Sequence, residues 1–148
     1  MRRTLSIIIL LLALKSAQSQ VLNPVKWAYA AKKETSGLVV VYLKATIEDG
    51  WHIYSINQKP GGPQKTAFEF LKSPDYQAVG KVAEPKPESK YEDAFGIQVD
   101  YFNHEVVFQQ KFRVKNGQTV IKGKLTFMAC TNKQCLPPED VAFEIPVK

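Results

Sequence analysis

Only two cysteines occur in this 148-residue chain, Cys130 and Cys135, both inside the stretch FMACTNKQCLPPED at 127–140. Thiols at such spacing can close a structural disulfide, cycle between dithiol and disulfide, or supply half of a metal claw. Geometry limits all three. A disulfide needs its Cα atoms roughly 4.4–6.8 Å apart. Five residues of extended strand would separate them by roughly 16 Å, and five positions along a helix turn the side chains about 140° apart. The chain must therefore double back between the two sulfurs. Thr131-Asn132-Lys133-Gln134 has the polar, Asn-containing composition of such a turn. Pro137-Pro138 then impose an extended exit without backbone donors. The pair is expected on a tight loop just past a strand end.

So short a loop is worth about 2 kcal/mol in the chain-entropy model, against about 4.7 kcal/mol for a 100-residue loop. A staple joining remote strands would stabilise more, yet short-loop disulfides are common in secreted proteins. A metal site needs further ligands, and His52 and His104 are the only histidines. Two Cys with two His could hold zinc, but the spacing matches no finger or ribbon, and an exported dithiol competes with oxidation. Each histidine reads as a surface or half-buried strand residue, and no metal or other cofactor is expected. On the residues alone, staple, redox pair and metal claw all stay open.

The N-terminus sets the compartment. Arg2-Arg3 precede an apolar run from Leu5 to Leu14 with Ser6 as its only polar member. Small residues then fall at alternate positions in Lys15-Ser16-Ala17-Gln18-Ser19. The run is shorter than the about 20 residues that span a bilayer. Residues 1–19 are expected to be a cleaved secretory signal, cut after Ser19. No cysteine lies near the cut, which argues against a lipoprotein. The mature chain is expected in the periplasm, where disulfides form and persist.

Residues 20–148 then make one domain with a single core. Loss of Arg2, Arg3 and Lys15 lowers the formal charge from +6 to about +3. The remaining lysines are interleaved with acids, so there is no nucleic-acid footprint, and nothing after residue 20 resembles a membrane-inserting helix. AEPKPESK at 83–90 reads as a loop.

Period-two patterning runs through the domain. Val39, Val41, Leu43, Ala45 and Ile47 share one face of LVVVYLKATI. In EVVFQQKFRVK, Val106, Phe108, Phe112 and Val114 share a face broken only by Gln110. Asn116-Gly117 signals a two-residue type I′ hairpin turn, with TVIKGKLTFMAC as the returning strand. Val141, Phe143, Ile145 and Val147 form one face of a last strand. No segment shows a capped 3.6-residue stripe, and nine prolines agree with short strands and turns. The expected fold is all-β, an immunoglobulin-like antiparallel β-sandwich without the Cys-Trp-Cys pattern of antibody domains.

Three segments, in order, resemble the N-terminal domain of the thiol:disulfide interchange protein DsbD. FMACTNKQCLPPED resembles its active-site hairpin through Cys130, Cys135, Pro137, Pro138 and Glu139. DGWHIYS at 49–55 resembles its Asp-Gly segment and following aromatic strand, and YEDAFG at 91–96 its acidic-Phe-Gly cap loop. The resemblance implies an immunoglobulin-like domain that is reduced by a thioredoxin-like domain and in turn reduces periplasmic client oxidoreductases. By position, Cys135 would be the thiol attacked in, and attacking through, mixed disulfides, and Cys130 would resolve them. Phe95 would lie over the disulfide as a cap, Asp93 would be a candidate proton handler, and Tyr54 would line the site. Lys133, between the cysteines, could modestly favour a thiolate.

This chain departs from the family pattern in three ways. The cysteine loop is one residue shorter than in the best-known enterobacterial members. Ala94 stands where a second acid is often found, which weakens any paired-carboxylate relay. The chain ends at Lys148, so a DsbD/CcdA-type membrane thiol transporter and the thioredoxin-like domain are expected in trans, with exported thioredoxin-fold proteins as clients. The rival reading is a β-sandwich adaptor in which the disulfide merely pins a loop and Trp51, Tyr54, Tyr91 and Tyr101 form a ligand surface.

Overall fold

Alternating apolar residues become strands here because each alternation has a facing layer to bury against. The computed structural model describes residues 22–35 and 37–148, so the leader expected at 1–19 lies outside the described residues. One sheet has the order β1 (Val25–Lys33), β2 (Leu38–Ile47), β8 (Glu105–Val114), β5 (Tyr76–Ala83). A second has the order β11 (Glu139–Val147), β9 (Thr119–Phe127), β4 (Ala67–Phe70). A third has the order β10 (Ala129–Cys130), β3 (His52–Tyr54), β7 (Ile97–Phe102), β6 (Glu88–Glu92). Every pairing is antiparallel. The described residues contain no helix, and so none long and apolar enough to cross a membrane.

The first two sheets form the sandwich. Trp27 of β1 packs edge-on against Phe68 of β4 and Phe127 of β9, and stacks on Phe108 of β8. Phe70 of β4 meets Phe112 of β8 and Phe143 of β11. The expected apolar faces of β2 and β8 are buried, as are Phe143, Ile145 and Val147 of β11, with Val141 half-buried. Gln110, the polar break in β8, is buried as well. Its Nε2 donates to the Val79 carbonyl at 3.0 Å and the Lys111 carbonyl at 2.9 Å, which offsets the cost of burying an amide.

Three local expectations are corrected. Asn116-Gly117 does not close a hairpin: only Gly117 has positive φ (71°), and β8 and β9 lie in different sheets. Both edges of β8 are taken by β2 and β5, so the chain crosses between layers at this turn. The run TVIKGKLTFMAC is not one strand. It breaks at Met128, leaving β9 in the sandwich and sending β10 to the third sheet. The segment 83–90 is a loop only over Glu84–Pro87, its ends being claimed by β5 and β6. Glu84 in that loop pins the chain leaving β3: its carboxylate accepts from Ser55 Oγ, from the Ile56 amide at 3.0 Å and from Asn57 Nδ2 at 2.8 Å.

Candidate functional site

Leu136 N–H donates to the Ala129 carbonyl at 2.9 Å, and Thr131 N–H to the Gln134 carbonyl at 2.7 Å. These bonds fold residues 129–136 into a small hairpin. Thr131 organises its tip, with Oγ1 accepting from the Lys133 and Gln134 amides, both at 3.1 Å. The turn falls on Thr131–Gln134 as expected, and the Asn132 side chain accepts from Lys90 Nζ at 3.3 Å. The turn brings the two cysteine Cα atoms to 4.0 Å, and the sulfurs are bonded. Exposure is unequal. Cys130, on β10, is 1% exposed, whereas Cys135 stands on the solvent side of the loop.

The register of the third sheet explains the burial of Cys130. Ala129 opposes Ile53, which opposes Phe102, and all three side chains enter the main core. Side chains alternate along a strand, so the next positions share the opposite face: Cys130 and His52 oppose one another, as do Tyr54 and Tyr101. Val99, Lys90 and Glu92 fall on the same face. There Cys130, Tyr54 and Val99 make a second buried cluster, against which Ile97, Tyr101 and Met128 pack.

Six ionisable side chains share this face. His52 Nε2 lies 3.1 Å from the Tyr54 hydroxyl and 3.5 Å from Lys90 Nζ. Lys90 also pairs with Glu92 at 3.1 Å and sits 5.0 Å over the Tyr101 ring. Tyr101 donates its hydroxyl proton to Glu88 at 3.0 Å. Burial, with Lys90 adding to it and Glu92 opposing, lowers the His52 imidazole from 6.5 to about 4. Burial and then the Glu92 charge raise the Tyr54 phenol. At neutral pH the cluster therefore holds a neutral imidazole and a neutral phenol beside one ion pair.

Of the residues singled out in the sequence, Tyr54 joins Cys130 in one cluster. Phe95 and Asp93 sit on the β6–β7 turn, closed by the Phe95 and Gly96 amides donating to the Glu92 carbonyl. Phe95 is half-buried and Asp93 exposed. Among the described residues, Phe95 is not one of the side chains packed on the Cys130 cluster. Sequence reasoning missed His52, Lys90 and Glu92. His52 was expected at the surface or half-buried, but it is 4% exposed, because the short strand β3 lies between β10 and β7. His104 is exposed, 3.3 Å from Asp49, and no metal-holding group of three or more ligands occurs among the described residues.

Because the folded imidazole titrates below the unfolded one, the unfolded chain takes up the proton first as pH falls. The stability tied to His52 is complete above about pH 6.5 and is lost on descent to about pH 4, on the order of 1–3 kcal/mol after allowance for screening. Urea midpoints at pH 7 and pH 4.5 check this. Wild type is expected to lose more stability between the two than His52→Gln, and equal losses would remove His52 from the account.

The family model for the N-terminal part of the thiol:disulfide interchange protein DsbD matches residues 18–146. No curated protein sequence matches the chain. Solved structures of the same fold include the following three. The N-terminal periplasmic domain of ScsB from Proteus mirabilis is 22% identical with a TM-score of 0.63, covering 83% of this chain and 46% of that one, so this chain spans under half of it. The reduced DsbD N-terminal domain of Neisseria meningitidis is 22% identical with a TM-score of 0.56, over 80% of this chain and 83% of that one. The complex of the DsbD and PilB N-terminal domains from the same organism gives 21% identity and a TM-score of 0.57, over 84% and 87%.

Proposed function

We propose, from the premise that this chain belongs to the family of the N-terminal domain of the thiol:disulfide interchange protein DsbD, that it relays reducing equivalents through Cys130–Cys135. The unequal exposure of the two sulfurs is the observation that carries this reading. Exchange needs an in-line thiolate attack on an accessible sulfur, and Cys135 is exposed while Cys130 is buried. In the incoming half-cycle a partner thiolate attacks Cys135 Sγ, and Cys130 leaves as a thiolate and takes up a proton. A second partner thiol then displaces Cys135, so that the partner is oxidised to a disulfide and the domain holds a dithiol. In the outgoing half-cycle the Cys135 thiolate attacks a client disulfide, and Cys130 resolves the mixed disulfide, releasing the reduced client.

A thioredoxin-like domain or a DsbD/CcdA-type membrane thiol transporter supplies the electrons, and exported thioredoxin-fold proteins receive them. The complex between the Neisseria DsbD and PilB N-terminal domains supports a protein partner at this fold. Residues 1–19 serve as the export leader and 20–148 as the single periplasmic domain, in keeping with the periplasmic setting of the ScsB domain. The family resemblance assigns Phe95 and Asp93, on the β6–β7 turn, the roles of cap and proton handler, and Tyr54 lines the buried side of Cys130.

The equilibrium reduction potential of residues 20–148, read by thiol alkylation in glutathione or dithiothreitol buffers, tests the relay. A potential above about −300 mV, within reach of thioredoxin-family partners, is the expected result. A value well below it would mark an inert staple and favour a binding module.

A further inference from the structure

Cys130 poses a problem that Cys135 does not. The residue is 1% exposed in a cluster with Tyr54 and Val99, and an apolar setting disfavours the thiolate. To close the disulfide it must nevertheless lose its proton, and solvent has little access. Its partner across the β10–β3 ladder is His52. Directly opposed residues place their Cβ atoms about 4.5–5.5 Å apart on the same face, so the His52 and Cys130 side chains leave the sheet side by side.

We propose that His52 accepts the proton of the Cys130 thiol as that sulfur closes the disulfide. The inference rests on the relay reading above only in taking the pair to cycle. In the tautomer that gives up the long 3.5 Å contact from Lys90 Nζ and donates Nε2–H to the Tyr54 oxygen, 3.1 Å away, Nδ1 is left as the acceptor. In the step, Cys130 Sγ loses its proton to Nδ1 and attacks Cys135 Sγ. A bond forms between the two cysteines, and the bond from Cys135 to the partner sulfur breaks. The partner leaves with the electron pair as a thiolate, and the imidazolium then yields its proton to that thiolate or to water. A hollow of about 300 Å³, lined by His52, Lys90, Tyr101, His104 and Asn132 among others, gives solvent a path to the ring edge.

The groups facing His52 favour this division of labour. Tyr54 of its own strand and Tyr101 of β7 are neutral, while β6 brings Lys90 and Glu92. Burial, and after it Lys90, keeps the imidazole unprotonated before the step, and the Lys90 charge helps the thiolate that develops during it. A thiolate forming beside the ring raises the basicity of the imidazole, since an opposite charge within about 4–6 Å favours the charged form. Asp49, Glu48 and His104 border the hollow's outer rim.

The test uses residues 20–148, reduced, and a chromogenic aromatic disulfide as the oxidant. Each turnover releases two aromatic thiolates: the first as Cys135 attacks, the second as Cys130 resolves. Cys130→Ser should stop after the first, which checks the assignment of the two sulfurs independently of any physiological relay. Loss of a positioned general base typically costs about 10²–10⁴-fold. His52→Gln should therefore slow the second release at least tenfold and flatten its pH profile, with the first release changed less than twofold. An unchanged second release, or equal slowing of both, would overturn the proposal. Lys90→Gln covers the case in which His52→Gln fails to fold. Removing the cation should move the acid limb of the second-release profile to higher pH, and an unmoved limb would count against His52. Slowing in Glu92→Gln but not in His52→Gln would transfer the role to Glu92. A low reduction potential with this pattern intact would sink the relay and leave His52 in place.

Discussion

Cys135→Ser is expected to reduce exchange with any disulfide partner to background while the sandwich stays folded. No other cysteine occurs in the chain, and Cys130 is too buried to replace an exposed nucleophile. The change also opens the disulfide. Closing so short a loop is worth about 2 kcal/mol, a fraction of the roughly 5–15 kcal/mol of an ordinary domain, so strand content and a cooperative melt should survive. Cys130→Ser should behave differently, keeping the first attack and accumulating a mixed disulfide through Cys135. Mass spectrometry after mixing each reduced variant with a small disulfide separates the two. A stable adduct on Cys135→Ser and none on Cys130→Ser would reverse the assigned roles.

Gly123→Ala is expected to have the largest effect on stability of any single methyl group added. Gly123 sits mid-strand in β9, opposite Phe143 of β11 and Phe70 of β4. A Cβ there would stand 2.4 Å from the Glu69 carbonyl oxygen and 2.5 Å from Phe143 Cζ. The carbonyl belongs to a paired strand and has no rotamer to escape into. Phe143 is held by Tyr29 and Phe70. Overpacking of a tight core costs about 1–3 kcal/mol and occasionally more, and two blocked directions place this change at about 3 kcal/mol. Urea denaturation at pH 7 should show a lower midpoint with an unchanged slope, and a loss below about 1 kcal/mol would mean that the sheet opens more readily than its register implies. At temperatures where the variant is folded, its exchange kinetics should match wild type, since β9 leaves for the site only after Phe127.

The strands and their buried faces could be read directly, because period two ties a residue's position to its side of the sheet. Val39, Val41, Leu43, Ala45 and Ile47 line one face for that reason alone. The turn between the cysteines followed from chain geometry, because neither strand nor helix closes a five-residue gap. Resemblance to the family pointed to Cys130, Cys135, Tyr54, Phe95 and Asp93; Cys130 is bonded to Cys135 and packed with Tyr54, while Phe95 and Asp93 stand on the β6–β7 turn.

Pairing between strands was beyond such reading. Asn116-Gly117 flanked by two alternating runs looks like a hairpin at any distance. It became a layer crossing because β2 and β5 took both edges of β8, a competition among remote segments that no local pattern encodes. The site shows the same division. His52, Lys90 and Glu92 are separated along the chain by up to 40 residues, and each reads as an ordinary polar strand or loop residue. They share a face with Cys130 because β3 pairs with β10 on one side and with β7 on the other, and β7 with β6, in a register that turns their side chains the same way. Which sulfur is buried was settled in the same way, by Cys130 joining a ladder and Cys135 lying beyond it on the loop. Alternation and turn chemistry act between near neighbours and are written in a few residues. Partner choice, burial and proton affinity depend on groups brought together from across the chain, and those exist only once the sheets have assembled.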